Sequence, residues 1–296
     1  MVFRQPMVDK TRKFGFLAIG LAGLLVLALV VCGCTQQPTG GPAPTPTAGE
    51  HAPEMISVDG STTVLPIAQK TAEAFMDANS WADIQVTGGG SSVGVQKVGE
   101  GTASIGMASR DLKSSEAEKY PNLVQYVIAK DGIAVIVHTT NPVSDLTIAQ
   151  LKSIYKGEIT NWKDLGGSDA EIVVVGRDSA SGTREVFSEL VMDKEDFTPT
   201  QLEKNSNGAV KQTIVQTPGA IGYVGLGYID DTVKAIVIEG VAPSIPNVLD
   251  GRYKISRSLN LFTEGEATGL AKEYIDYILS DEGQKIVEDE GFVPVV

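Results

Sequence analysis

Residues 171–191 read EIVVVGRDSASGTREVFSELV. The β-branched run from Glu171 to Val175 predicts a buried strand, and Glu185 to Val191 predicts a helix. Between them lie small polar residues, Ser179 to Thr183, flanked by Arg177 and Arg184. A strand that hands over to a helix in this way leaves unpaired backbone N–H groups and a partial positive charge at the junction, so it can receive an anion. Gly lets a ligand approach the backbone, and Ser or Thr adds a hydroxyl donor. Ser and Thr are equally common helix caps, so one junction of this kind reads as capping.

The pattern recurs. Met55 to Val58 runs through Asp59-Gly60-Ser61-Thr62-Thr63 into a helical segment that reaches about Asn79. Ile84 to Val86 runs through Gly88–Gly94 into a short helix, with Gly90-Ser91-Ser92 at the turn. A further strand, Ala103 to Met107, ends at Ala108-Ser109-Arg110-Asp111. Ile133 to His138 predicts another buried strand, and Ile148 to Tyr155 a helix. Two helices close the chain, around Ala267–Leu279 and Glu282–Asp289. Strands alternating with helices predict an α/β protein with mostly parallel sheets. Three Ser/Thr/Gly junctions, with Arg110, Arg177 and Arg184 near them, tilt the reading from capping toward an oxyanion site, because guanidinium groups bind oxyanions in a planar, bidentate way.

Composition narrows the alternatives. Of 296 residues, 24 are Lys or Arg and 37 are Asp or Glu, a net charge of −13 that argues against nucleic acid as a partner. The hydrophobic share of 42% is that of a folded protein. Cys32 and Cys34 are the two cysteines and His51 and His138 the two histidines. Beyond residue 34 this excludes disulfides, thiolate nucleophiles and Cys-based metal sites, and it excludes a multi-histidine metal centre anywhere. No cofactor or metal is expected.

The N-terminal segment is an address. Arg4, Lys10, Arg12 and Lys13 precede an uncharged apolar run from Phe14 to Val31, the pattern of an export signal. Val31-Cys32-Gly33-Cys34 resembles a lipobox, with Gly33 before a lipidated Cys34; an uncleaved signal anchor is the alternative. Residues 34–54 are rich in Pro, Thr and Gly and read as an extended tether. The folded part is expected outside the cytoplasm, held on the outer face of the membrane through Cys34.

The segments VDGSTTVLPIAQ, GGGSSVGVQ, IGMASRDL, GEITNWKDLGG, GRDSASGTREVF, GAIGYVGLGYI and YILSDEGQKIVEDEGFVPV look like the phosphate-binding proteins of ATP-driven (ABC-type) phosphate importers, in order and from about Ile56 to Val296. The resemblance implies a monomeric, periplasmic-binding-protein-like clamshell of two lobes. Each lobe is a mostly parallel sheet flanked by helices, and two crossover hinge strands join them. Residues 1–33 are then a signal peptide, 34–54 the tether, 55–138 and 250–296 lobe I, and 139–249 lobe II, with crossings near His138 and Leu249. It implies an interlobe phosphate site from Ser61, Thr62, Thr63, Ser91, Ser109 and Arg110 of the first lobe and Arg177, Ser181, Gly182 and Thr183 of the second. It also implies permease subunits as partners.

One departure concerns specificity. In the best-known branch of the family an Asp follows the Ser that matches Ser109, and it accepts a hydrogen bond from the protonated phosphate. Here Arg110 stands there, leaving Asp111, Asp178 and Asp59 as candidate acceptors, with Arg184 beside the site. A carrier of sulfate, molybdate or tungstate is one alternative. A serine hydrolase is another, since Gly90–Gly94 matches G-x-S-x-G around Ser92 and Asp111 and His138 follow in hydrolase order. Yet His138 closes an apolar strand, and no residue cluster suits phosphatase chemistry. Trp81 and Trp162 are expected to pack.

Overall fold

A computed structural model describes residues His51–Val296. The signal, lipobox and most of the tether read from the sequence lie outside the described residues. Strand β1 (Glu54–Gly60), helix α1 (Leu65–Ala78), β2 (Ala82–Gly88), α2 (Ser91–Gly99), β3 (Ile105–Ala108) and α3 (Ser114–Lys119) come first. The long strand β4 (Leu123–His138) follows, then β5 (Asp145–Leu146), α4 (Ile148–Lys156), β6 (Val173–Arg177), α5 (Gly182–Leu190), β7 (Leu202–Lys204) and α6 (Asn207–Gln216). The last are β8 (Ala220–Gly225), β9 (Val233–Ala235), β10 (Val237–Ile238), α7 (Ile245–Leu249), β11 (Ser256–Glu264), α8 (Gly269–Ile278) and α9 (Asp281–Asp289).

The main sheet runs β2-β1-β3-β11-β4-β8-β6-β7, with β9 also on β4. Its two flanks are parallel, and every antiparallel pairing in it involves β4 or β11. These two strands join the halves of a two-lobed α/β fold. Strand β4 pairs with β11 along Leu123–Gly132 and then changes partner, pairing with β8 along Ile133–Val137. The change falls between Gly132 and Ile133, and β11 sets in at Ser256.

Each lobe has its own core. Ile56, Val58, Ile67, Phe75, Ile105, Met107, Leu259, Leu261 and Tyr274 cluster in the first. Helix α1 supplies Ile67, Ala68, Thr71, Ala72 and Phe75, spaced to lie on one helical face. In the second, Ile133, Val135 and Val137 of β4 pack with Tyr155, Trp162, Phe187 and Tyr223, while Ile136 packs on the opposite face with Val175, Val210 and Val224. Alternate side chains of a strand point to opposite faces, so this unbroken apolar run is what burial on both sides requires. Trp162 packs in this core and donates Nε1–H to the Gly219 carbonyl at 2.9 Å. Partly buried Trp81 packs against the first core and stacks on His51.

Candidate functional site

The strand ends of both lobes meet where the sequence placed its Ser/Thr/Gly junctions. At the first, Gly60 has φ +138°, and a Cβ there would lie 2.3 Å from the Met107 carbonyl oxygen. Only glycine lets β1, β3 and α2 come this close. Ser61 Oγ then accepts the N–H groups of Thr63 (3.1 Å) and Val64 (3.4 Å), a local turn that frees the next two hydroxyls. Ser181 does the equivalent at α5, capping it by accepting Arg184 N–H at 3.2 Å.

The lobes touch through these turns. Ser92 N–H donates to the Ala180 carbonyl at 3.1 Å, and the Thr63 and Thr183 hydroxyls are 3.1 Å apart. Ser91 and Ser109 Oγ atoms are 3.3 Å apart, and Gly182 sits against both. Ser61, Thr62, Thr63, Ser91, Ser109, Arg177, Ser181 and Thr183 are all buried. The structure thus brings together nine of the ten residues expected to form the site, Gly182 included.

Arg177 supplies charge. Its Nε donates to the Lys204 carbonyl (3.2 Å), and its Nη2 to Thr62 Oγ1 and the Asn205 carbonyl (both 3.3 Å). Its Nη1 is buried with no partner among the described residues. Burial lowers the Arg177 pKa from its ordinary value, and nearby Arg257 adds to that lowering. A guanidinium still stays charged at any physiological pH.

Arg110 is placed otherwise than expected, because carboxylates claim it. Its Nη atoms make a two-pronged bond to Glu116 (2.7 Å each), Nη2 reaches Ser92 Oγ at 3.1 Å, and Nε lies 2.8 Å from Glu185 of the other lobe. Lys113 joins Glu185 at 2.9 Å. Arg184 pairs with Glu203, donates to the Arg177 carbonyl at 2.6 Å and lies over Phe197. It braces the Arg177 strand end.

The three candidate carboxylates lie apart from the hydroxyl cluster or make no bond to it. Asp59 is held by Lys97 at 2.5 Å and by Thr87. Exposed Asp111 accepts from Gln125 Nε2 at 3.0 Å. Asp178 is half-buried, forms no ion pair with Arg177, and its Oδ1 is buried without a partner among the described residues. The hydrolase set does not assemble either: Ser92 is bonded by Arg110, Asp111 by Gln125, and His138 Nδ1 contacts Thr140 Oγ1 at 2.8 Å.

Three residues of the cluster escaped sequence reasoning. Asn207 opens α6, and its Nδ2 donates to Thr62 Oγ1 (3.1 Å) and Thr63 Oγ1 (3.0 Å). It marks a fourth strand-to-helix junction, β7 to α6, whose Asn205-Ser206-Asn207-Gly208 carries the same small polar signature. Asp131 and Arg257 form a buried ion pair at 2.7 Å, and Arg257 Nη2 donates to Thr63 Oγ1 at 3.1 Å. Charges inside strands carry no local signal of this kind.

A PBP superfamily domain matches residues 42–282. The chain belongs to the PBP superfamily. The "Phosphate-binding protein PstS" of Bacillus subtilis is 41% identical over 248 residues, covering 83% of this chain and 82% of that one, which places the chain in the PstS family. Among solved structures, a Clostridium perfringens protein assigned as a phosphate ABC transporter substrate-binding protein, with phosphate bound, superposes with a TM-score of 0.79. It is 43% identical and covers 82% of this chain and 100% of its own. An ABC-type phosphate transport receptor from Vibrio cholerae is 36% identical, with a TM-score of 0.67, covering 80% and 99%.

Proposed function

We propose that this protein captures inorganic phosphate between its lobes and delivers it to the membrane subunits of an ABC importer. One observation carries the reading. Hydroxyls, helix N-termini and a guanidinium from both lobes converge in a buried cluster, in a chain 43% identical to a protein solved with phosphate bound. A dehydrated oxyanion there meets many fixed dipoles as well as full positive charge. Thr62, Thr63, Ser91, Ser109, Arg177, Gly182 and Thr183 are the proposed contacts, while Ser61 and Ser181 shape the turns that present them. Arg110 acts as an ion bridge between lobes. The reading makes the protein a binder, as its relatives are named: a phosphate-binding protein and an ABC transporter substrate-binding protein.

The lobe boundaries follow the strands. We place the crossings at Gly132/Ile133, where β4 changes partner, and at Ser256, where β11 begins. These lie a few residues from the 138 and 249 read from sequence. Attachment through lipidated Cys34 is part of the same proposal, and mass spectrometry of the mature N-terminus tests it; an intact Met1 would exclude it.

The functional test is calorimetric titration of the purified protein, stripped of anion by unfolding and refolding in phosphate-scrubbed buffer, with phosphate, sulfate and molybdate. Tight binding of phosphate over the other two is expected. Preference for sulfate or molybdate would move the assignment to another oxyanion.

A further inference from the structure

We propose that Arg257 is a second anion-binding guanidinium of this cleft and that Asp131 is the residue that positions it. The inference rests on the anion-binding reading of the cleft. Asp131 and Arg257 are direct cross-strand partners on β4 and β11, one residue from the point where β4 changes partner. Their side chains are 0% and 2% exposed. Arg257 spends Nε and part of Nη2 on a single carboxylate oxygen, Asp131 Oδ2, at 3.0 and 2.7 Å. The other oxygen, Oδ1, accepts Leu226 N–H at 2.9 Å. A carboxylate offers about four lone-pair sites. Three of those of Asp131 are taken, two of them by Arg257, so the carboxylate holds that guanidinium in place.

The remainder of Arg257 faces the cluster. Nη2 also donates to Thr63 Oγ1, the hydroxyl that Asn207 bonds and Thr183 touches. Nη1 is fully buried without a partner among the described residues, as is Nη1 of Arg177, which reaches the adjoining Thr62 through Nη2. Leaving a buried guanidinium N–H unpaired is costly, and a pure structural ion pair would gain nothing from it. Two buried guanidiniums are thus brought to neighbouring hydroxyls, and Asp131 is the carboxylate bonded to Arg257. An oxyanion that accepts from both Nη1 groups satisfies those donors and the charge together. Placing Arg257 on β11 also joins ligand charge to one of the two strands that connect the lobes.

The test measures phosphate affinity and the ³¹P resonance of bound phosphate for the wild type, Arg257→Gln, Arg257→Lys and the double variant Asp131→Asn/Arg257→Gln, with thermal melting as a fold control. The double variant removes both buried charges and so avoids stranding the carboxylate. Its affinity should fall about 30-fold or more, as for truncating one partner of a desolvated charge pair. Arg257→Lys keeps the charge and the ion pair but loses the fork, so it should bind with an intermediate affinity and a shifted ³¹P resonance. A folded double variant that binds within threefold of wild type would overturn the proposal, as would a folded Lys variant with wild-type affinity and an unmoved resonance. If the wild type prefers another oxyanion, the phosphate reading fails while the same series, run with that anion, still decides the role of Arg257. A wild type that binds no oxyanion overturns both.

Discussion

Arg177 and Arg184 are seven residues apart and both touch the same strand end, yet they differ in what they face. Arg177 is 1% exposed and turns its free donor inward, whereas Arg184 spends its charge on Glu203 at the surface. Arg177→Ala should therefore weaken phosphate binding by about 2–5 kcal/mol, the usual effect of removing a buried counter-charge. Arg184→Ala should cost clearly less, because it removes a brace and a solvent-exposed ion pair. Calorimetry on the two variants makes the comparison, and equal small losses would place the anion elsewhere. Of the two carboxylates expected to set specificity, Asp178 keeps a buried Oδ1 without a partner among the described residues and stays the candidate proton acceptor. Asp111 is engaged with Gln125, and Asp131, which adjoins the cluster, is bonded by Leu226 N–H and twice by Arg257.

Helix α5 shows how an element carries closure. Its first residue, Gly182, lies where a Cβ would come within 2.4 Å of Ser91 Oγ and 3.0 Å of Ser109 Oγ across the cleft. Gly182→Ala should leave the fold intact, because Ala is a better helix former, but should hold the lobes apart. A loss of about tenfold or more in phosphate affinity with an unchanged or slightly raised melting temperature is expected. Undiminished affinity would mean the lobes do not close on this contact. Helix α3 presents Glu116 to Arg110. Burial alone would raise the Glu116 pKa, but the Arg110 hydrogen bonds, the Lys113 N–H and both positive charges hold it below its ordinary 4.5. A carboxyl depressed on folding stabilises the protein above its unfolded pKa, and that contribution is lost as pH falls through the lower folded value. Arg110→Met should thus be less stable than wild type at neutral pH, with the gap narrowing below about pH 4.5 as Glu116 protonates. Denaturant titrations across that range check this; a gap independent of pH would show that the pair contributes nothing through charge.

For the whole molecule, the contacts that cross the cleft favour a closed state. Thr63 to Thr183, Ser92 to Ala180 and Arg110 to Glu185 all link residues on opposite sides of the β4 partner change. A ligand that bonds both sides shifts the population toward closure by its differential affinity. Small-angle scattering should show a smaller radius of gyration on adding phosphate to the anion-free protein. Saturating binding without compaction would contradict a hinge between the lobes.

What the sequence determined by itself was local. The strand-to-helix junctions at Gly60–Thr63, Gly90–Ser92 and Ser179–Thr183 were legible because turn residues and hydrophobic period act over a few positions. The segments around them carried the family, and with it most of the cluster. Strand β11 and the first half of β4 were not read as strands, since Asp131, Arg257 and Asn260 break the apolar pattern that marks burial. Those polar residues are tolerable inside only because the register sets Asp131 opposite Arg257 across a separation of 126 residues. Arg110 shows the converse: its position beside Ser109 suggested a ligand, and only the approach of Glu116 and Glu185 from two other helices decided that its charge is already met. Propensity is a property of neighbours along the chain. Which charges are paired depends on neighbours in space, and that is fixed only when the sheet forms.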